Sequence, residues 1–167
     1  MTLPLGPGGS PLAGVPGIRV AEATADQVPQ IVALLADDLL GREREAGAAA
    51  RYDEAFAAID ADPSEHLLVL LDTDDAVVGT LQLGFVRSLS RGGALRAQIE
   101  AVRVSAALRG RGVGRAFFQW VIGVARGEGA VLLQLTSDLQ RAGAIHFYES
   151  LGFVHSHAGL KMPLTPA

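Results

Sequence analysis

Apolar positions along this chain recur at two periods, and each period marks its own kind of element. Residues 18–21 read as a short strand. Thr24 is placed to cap a helix in which Ile31, Leu34, Leu35 and Leu39 fall at helical spacing, with Gly41 as its end. Tyr52, Phe56 and Ile59 give residues 46–61 the same period, and Pro63 stops that helix. The run 66–71 (HLLVLL) is a buried strand, Asp72-Thr73-Asp74-Asp75 is turn chemistry, and 77–86 is a second strand that completes a hairpin.

Arg91-Gly92-Gly93 is another turn. It leads into a strand at 95–104, where Ile99 alternates with Glu100 and Val102 with Arg103. Helical spacing returns at 116–126, with Phe117, Trp120, Val121 and Val124 on one face. A buried strand at 131–135, a helix at 141–150 closing at Gly152, and short strands at 153–155 and 160–164 complete the order. Strands and helices so ordered predict an α/β (α+β) fold. It has a mixed, mostly antiparallel twisted sheet flanked by helices, with one parallel β-α-β crossover between 95 and 135.

Residues 1–17 (MTLPLGPGGSPLAGVPG) break both periods. So much Gly and Pro predicts a flexible tail, followed by a single domain over 18–167. The whole chain, 167 residues, is the size of one ordinary domain, and about half of it is apolar, enough to bury a core. No apolar run approaches the ~18 residues that span a bilayer, so no membrane partner is expected. Cys is absent, which excludes disulfides, thiolate metal sites and a Cys nucleophile, and fits a cytoplasmic location. His155 and His157 could share one strand face, but no third ligand accompanies them and no metal is expected.

The formal net charge is −4, yet basic residues cluster between Arg103 and Arg115. That cluster suits a small anion better than a long polyanion, so nucleic acid is not an expected partner. Within it, Arg109-Gly110-Arg111-Gly112-Val113-Gly114-Arg115 joins a strand to a helix. The first amides of a helix lack internal acceptors and carry partial positive charge. Glycine lets a phosphate approach them, and arginine adds forked charged donors. A dinucleotide fold would require G-x-G-x-x-G and an acid closing the next strand, and a nucleotide P-loop would require Gly-Lys-Ser/Thr. Neither occurs here.

Val102-Arg103-Val104 before this loop, and Ala144-Ile145-His146-Phe147-Tyr148-Glu149-Ser150-Leu151-Gly152-Phe153 after it, are similar to the paired motifs of the GNAT superfamily of acetyl-CoA-dependent N-acetyltransferases. The resemblance covers residues 18–164. It implies acetyl-CoA as acetyl donor, a primary amine as acceptor, and a splayed strand pair that admits the thioester. By the same resemblance Val102, Arg103 and Val104 meet the pantetheine arm, the amides from Arg109 through Gly110, Arg111, Gly112, Val113 and Gly114 to Arg115 wrap the pyrophosphate, and Ala144 and Phe147 line the arm's other side. It also allows a homodimer. Two positions depart from the family pattern: Ser105-Ala106 stands where Pro is common, and Arg141 where Asn is common.

Acetyl transfer needs a proton taken from the amine and one given to the leaving thiolate. Tyr148 holds the family position of the acid; a core tyrosine packing its helix with Phe147 and Phe153 is the alternative. Glu100 is the candidate base, because period two places it on the face of Val102 and Val104, among apolar neighbours. A paired role with Arg96 or Arg103 competes for it. Thr136 and Ser137, at a strand end, suit either a ligand contact or a turn. His66 and His146 read as structural or surface residues. Acceptor choice falls to the first two helices and to residues 85–96; Asp37, Asp38, Glu43 and Glu45, with Arg42 and Tyr52, either draw a cationic amine such as a polyamine, an aminoglycoside or a peptide N-terminus or form a solvated helix face. The second half also resembles small-molecule acetyltransferases. An idle acyl-CoA-binding sensor, or a peptide N-acetyltransferase, is the alternative.

Overall fold

A computed structural model describes residues 2–37 and 49–164. Six strands form one sheet in sequence order: β1 (Ser10–Pro11), β2 (Arg19–Glu22), β3 (Glu65–Leu71), β4 (Val77–Arg87), β5 (Leu95–Val104) and β6 (Leu132–Leu135). Neighbours from β1 to β5 are antiparallel, and β5 and β6 are parallel. The α-helices of eight or more residues among the described ones are α1 (Val28–Leu35), α2 (Ala49–Ala61), α3 (Val113–Gly127) and α4 (Ala142–Glu149). The sheet order and the single β5-α3-β6 crossover match the expected architecture.

The sheet has a core on each face. Leu68, Leu70, Leu81, Leu83, Ala97 and Ile99 meet Phe117, Phe118 and Val121 of α3 on one side. Val69, Leu71 and Val77 meet Ile31 of α1 and Phe56 of α2 on the other. Burial on both sides is why β3 reads as an unbroken apolar run rather than an alternating one. The Asp72 turn forms as expected, with its carboxylate accepting from the amides of Asp74 and Ala76. Thr24 and Gln27 make a reciprocal capping box at a short 3-10 turn that leads into α1. That helix ends at Leu35, short of the predicted Leu39; the expected stop at Gly41 and the start of the second helix lie outside the described residues.

Two expectations are corrected. Residues 1–17 were expected to be a flexible tail, but the described part, 2–17, is folded onto the body. Leu3 and Leu12 are buried in the α3-side core, and Ser10–Pro11 pairs with β2. Leu3, Leu5 and Leu12 recur too sparsely among Gly and Pro to show a period, yet each supplies an apolar anchor. The strands expected at 153–155 and 160–164 do not form. That stretch is largely exposed, with Leu160 and Leu164 at 94% and 90%, and it meets no strand. Pro163 also removes one of the amides a ladder would use.

Candidate active site

β5 and β6 pair only from Arg96 to Ile99, opposite Leu132 to Leu135. Pairing with β6 stops at Ile99, so Glu100 to Val104 has no partner on its β6 side among the described residues. The expected splay is therefore present. Directly after β5, Ala106–Leu108 makes a 3-10 turn, and Gly110 and Gly112 follow with φ of 75° and 81°. Gly112 caps α3 without any side-chain bond, and a Cβ built there meets nothing within 4 Å. The amides of Val113, Gly114 and Arg115 have no backbone acceptor among the described residues. An uncovered helix N-terminus beside an open left-handed glycine fits a phosphate group.

The loop's arginines take three different roles. The Arg111 side chain is exposed and makes no bond with any described residue. Arg109 donates to Val104 O (3.3 Å) and to Asp37 Oδ2 (3.2 Å). Arg115 points away from the loop and pins α4, donating to Ser150 Oγ at 2.8 Å and to Ser150 O at 3.3 Å. Arg103, expected to flank the cofactor arm, donates to Val102 O (2.8 Å) and reaches Leu35 O at the end of α1 (3.5 Å). A Cβ on Gly114 would touch Phe147 at 3.5 Å and Val104 at 4.0 Å. The loop, the end of β5 and α4 thus converge, with Ala144 half-buried one turn before Phe147.

Glu100 corrects the strand reading. Gln82 pairs with Glu100 but Thr80 pairs with Arg103, so Ala101 and Val102 together oppose Leu81. Ala101 takes up the extra residue with φ of 54°. This bulge breaks period two. Val102 and Val104 pack on the α3 side, whereas Glu100 follows Arg96 and Gln98 onto the α1 side. Its carboxylate is exposed and accepts from Gln98 Nε2 at 2.9 Å, instead of lying among apolar residues or pairing with an arginine. Gln134 of β6 donates to Gln98 Oε1 at 2.6 Å. Neither glutamine was singled out from the sequence; the available signal was Gln134 as the one polar residue of β6 and Gln98 alternating with Ala97 and Ile99 on β5.

Tyr148 lies on the α3 side, its ring 5.4 Å from Phe118 and 6.0 Å from Phe153. Burial raises its phenol above the ordinary value, while the charges of Arg103 and Arg141 pull the other way. Glu100 and Tyr148 therefore approach the strand split from opposite faces of the sheet. Arg141, standing where the family often has Asn, caps α4 and acts electrostatically on that phenol.

Other candidates lie elsewhere. Buried His66 bonds Glu22 Oε1 through Nδ1 (2.8 Å), while His146, His155 and His157 are exposed. Among the described residues no group of three or more His, Asp or Glu could hold a metal, and no helix is long and apolar enough to cross a membrane. Asp37 is taken by Arg109; Asp38, Arg42, Glu43 and Glu45 lie outside the described residues.

The acetyltransferase (GNAT) family matches this chain over residues 29–153. The aminoalkylphosphonate N-acetyltransferase of Salmonella typhimurium is 28% identical over 143 residues, covering 86% of this chain and 89% of its own. A Bacillus halodurans structure described as a transcriptional regulator superposes with a TM-score of 0.83 at 42% identity, covering 88% of this chain and 99% of that one. A putative acetyltransferase from Agrobacterium tumefaciens gives 0.76 at 27% identity, covering 86% and 98%. With the family matched across most of its length and the splayed sheet in place, this chain belongs to the GNAT family of acetyltransferases.

Proposed function

We propose that this chain is an N-acetyltransferase that moves an acetyl group from acetyl-CoA to a primary amine of a small molecule. The observation that carries the reading is the open loop before α3: a left-handed Gly112, uncapped amides from Val113 to Arg115 and an unengaged Arg111 beside the strand split. Those residues would hold the pyrophosphate, and Val102, Val104 and Phe147 would flank the arm. Acetyl-CoA, when bound, supplies the thioester carbonyl. Glu100, oriented by Gln98, accepts the amine's proton directly or through water. Tyr148, kept protonated by burial, donates to the leaving sulfur. With no Cys in the chain, the amine attacks directly and no covalent enzyme intermediate forms. A small acceptor is supported by the small-molecule substrate named for the Salmonella relative. The reading places the protein in the cytoplasm as a single-domain enzyme, with homodimers as its assembly.

The test is thiol release from acetyl-CoA across a panel of amines, alongside calorimetric binding of acetyl-CoA. Turnover of at least one small amine is expected. Tight acetyl-CoA binding with no turnover on any amine would instead identify a sensor.

A further inference from the structure

The α1 side of β5 carries Arg96, Gln98 and Glu100 at period two, because Leu95, Ala97 and Ile99 point into the α3-side core. The side chains of Gln98 and Glu100 are bonded to each other, whereas the Arg96 side chain stands apart from them. It is half-buried, makes no hydrogen bond or ion pair with any described residue, and its Nε is shut off from solvent with no acceptor. Its cross-strand neighbours, Val86 and Leu132, are apolar. Carboxylates on the same face are engaged elsewhere: Glu65 accepts from Gln82 at 2.9 Å, and Glu100 from Gln98. A partly desolvated guanidinium without a partner is unfavourable, and an oxyanion from outside relieves it.

We propose that Arg96 receives an anionic group of the acceptor, a carboxylate, phosphate or phosphonate, while the amine of the same molecule lies at Glu100. The inference rests on the N-acetyltransferase reading. It replaces the simple cationic amine expected from the acids of the first helices with a small zwitterion. Arg96 and Glu100 are four residues apart on one strand, about 13 Å between Cα atoms. Their long side chains shorten that span, so amine and anion are joined by a short chain lying along the Gln98 amide. The guanidinium fork matches an oxyanion through paired donors, which a lysine does not reproduce. The anion takes no part in bond making. At Glu100 the N–C bond forms as the C–S bond breaks, the amine proton passes to the carboxylate, and the thiolate takes a proton from Tyr148.

The full-length protein would be assayed for thiol release with five short amines: 2-aminoethylphosphonate, phosphoethanolamine, β-alanine, ethanolamine and 1,3-diaminopropane. At least one of the three anionic amines should exceed ethanolamine in kcat/KM by about tenfold or more, and the best of the three identifies the anion. Arg96→Gln should raise KM about tenfold for that amine while leaving KM for ethanolamine unchanged, and Arg96→Lys should restore only part of the loss. Equal or better turnover of the neutral or dicationic amine would overturn the proposal, as would an Arg96→Gln effect equal on all acceptors. The wild-type panel decides by itself if the variants do not fold. No turnover of any amine would overturn the acetyltransferase reading beneath it, a different outcome from activity without charge preference.

Discussion

Gln98 donates from Nε2 to Glu100 Oε1 at 2.9 Å, joining two residues of β5 immediately before the backbone bulges at Ala101. The bond holds the carboxylate on the α1 side of the sheet, and Gln134 extends it across to β6. If Glu100 is the base, removing its charge should affect turnover far more than binding. Glu100→Gln is expected to lower kcat by about a hundredfold while calorimetry gives the same acetyl-CoA affinity. Gln98→Leu, which frees the carboxylate without removing it, should lower kcat by about tenfold. Full activity in both variants would dismiss the base.

Tyr148 yields a prediction in pH. Burial raises its phenol above the ordinary value near 10, so the proton is held throughout the neutral and mildly alkaline range. Because the folded value lies above the unfolded one, this group's contribution to stability is fully present below pH ~10 and is lost as pH rises through the folded value. The difference in tyrosinate absorbance between wild type and Tyr148→Phe should therefore titrate above 10. Tyr148→Phe should also reduce kcat about tenfold or more with acetyl-CoA affinity unchanged. Titration below 10, or unchanged kcat, would return the residue to a packing role.

Arg111 and Arg115 are separable although both belong to the Gly-rich loop. The Arg111 side chain has no partner among the described residues, so Arg111→Ala should weaken acetyl-CoA binding by about tenfold, more at low salt than at high, with thermal stability unchanged. Arg115 holds Ser150 at the end of α4, so Arg115→Ala should lower the melting temperature by a few degrees. The reverse pattern would mean that the side chains exchange roles when the ligand binds.

Much of this arrangement is legible in the sequence because it is local. The α3 stripe, the buried β3 run, the Asp72 turn and the glycine loop each declare themselves within a few residues. The face on which Glu100 lies does not, because a single left-handed residue at Ala101 reverses every inference from alternation beyond it, and alanine gives no hint of that conformation. The N-terminal arm is illegible for a different reason. Its stability comes from Leu3 and Leu12 meeting a core built by strands and a helix far along the chain.

Two glycines of the same helix region should respond oppositely to substitution. Gly112 has φ of 81°, so Gly112→Val forces a β-branched side chain into a strained conformation and fills the open cradle. It should abolish acetyl-CoA binding and cost about 1–3 kcal/mol of stability. Gly123 lies inside α3 with nothing within 4 Å of an added Cβ, so Gly123→Ala should stabilise the fold by about 1 kcal/mol without touching the ligand. Binding that survives Gly112→Val would remove the phosphate assignment.

The arm over residues 2–17 closes the α3-side core, so its loss should be measurable as instability. Leu12 is 3% exposed and accompanies Leu3 against strands and helix alike. Truncating a buried leucine removes apolar contact and leaves a cavity, which together cost about 2–5 kcal/mol. Leu12→Ala should therefore lower the unfolding free energy measured by denaturant titration by that amount, and deletion of residues 1–12 by at least as much. Arg19, which donates to Gly8 O at 2.8 Å, would lose that partner in the deletion. The glycine-rich loop lies at the other end of α3, so acetyl-CoA affinity measured well below the melting temperature should be unchanged in Leu12→Ala. A deletion as stable as the full chain would restore the flexible tail that the Gly and Pro content predicts.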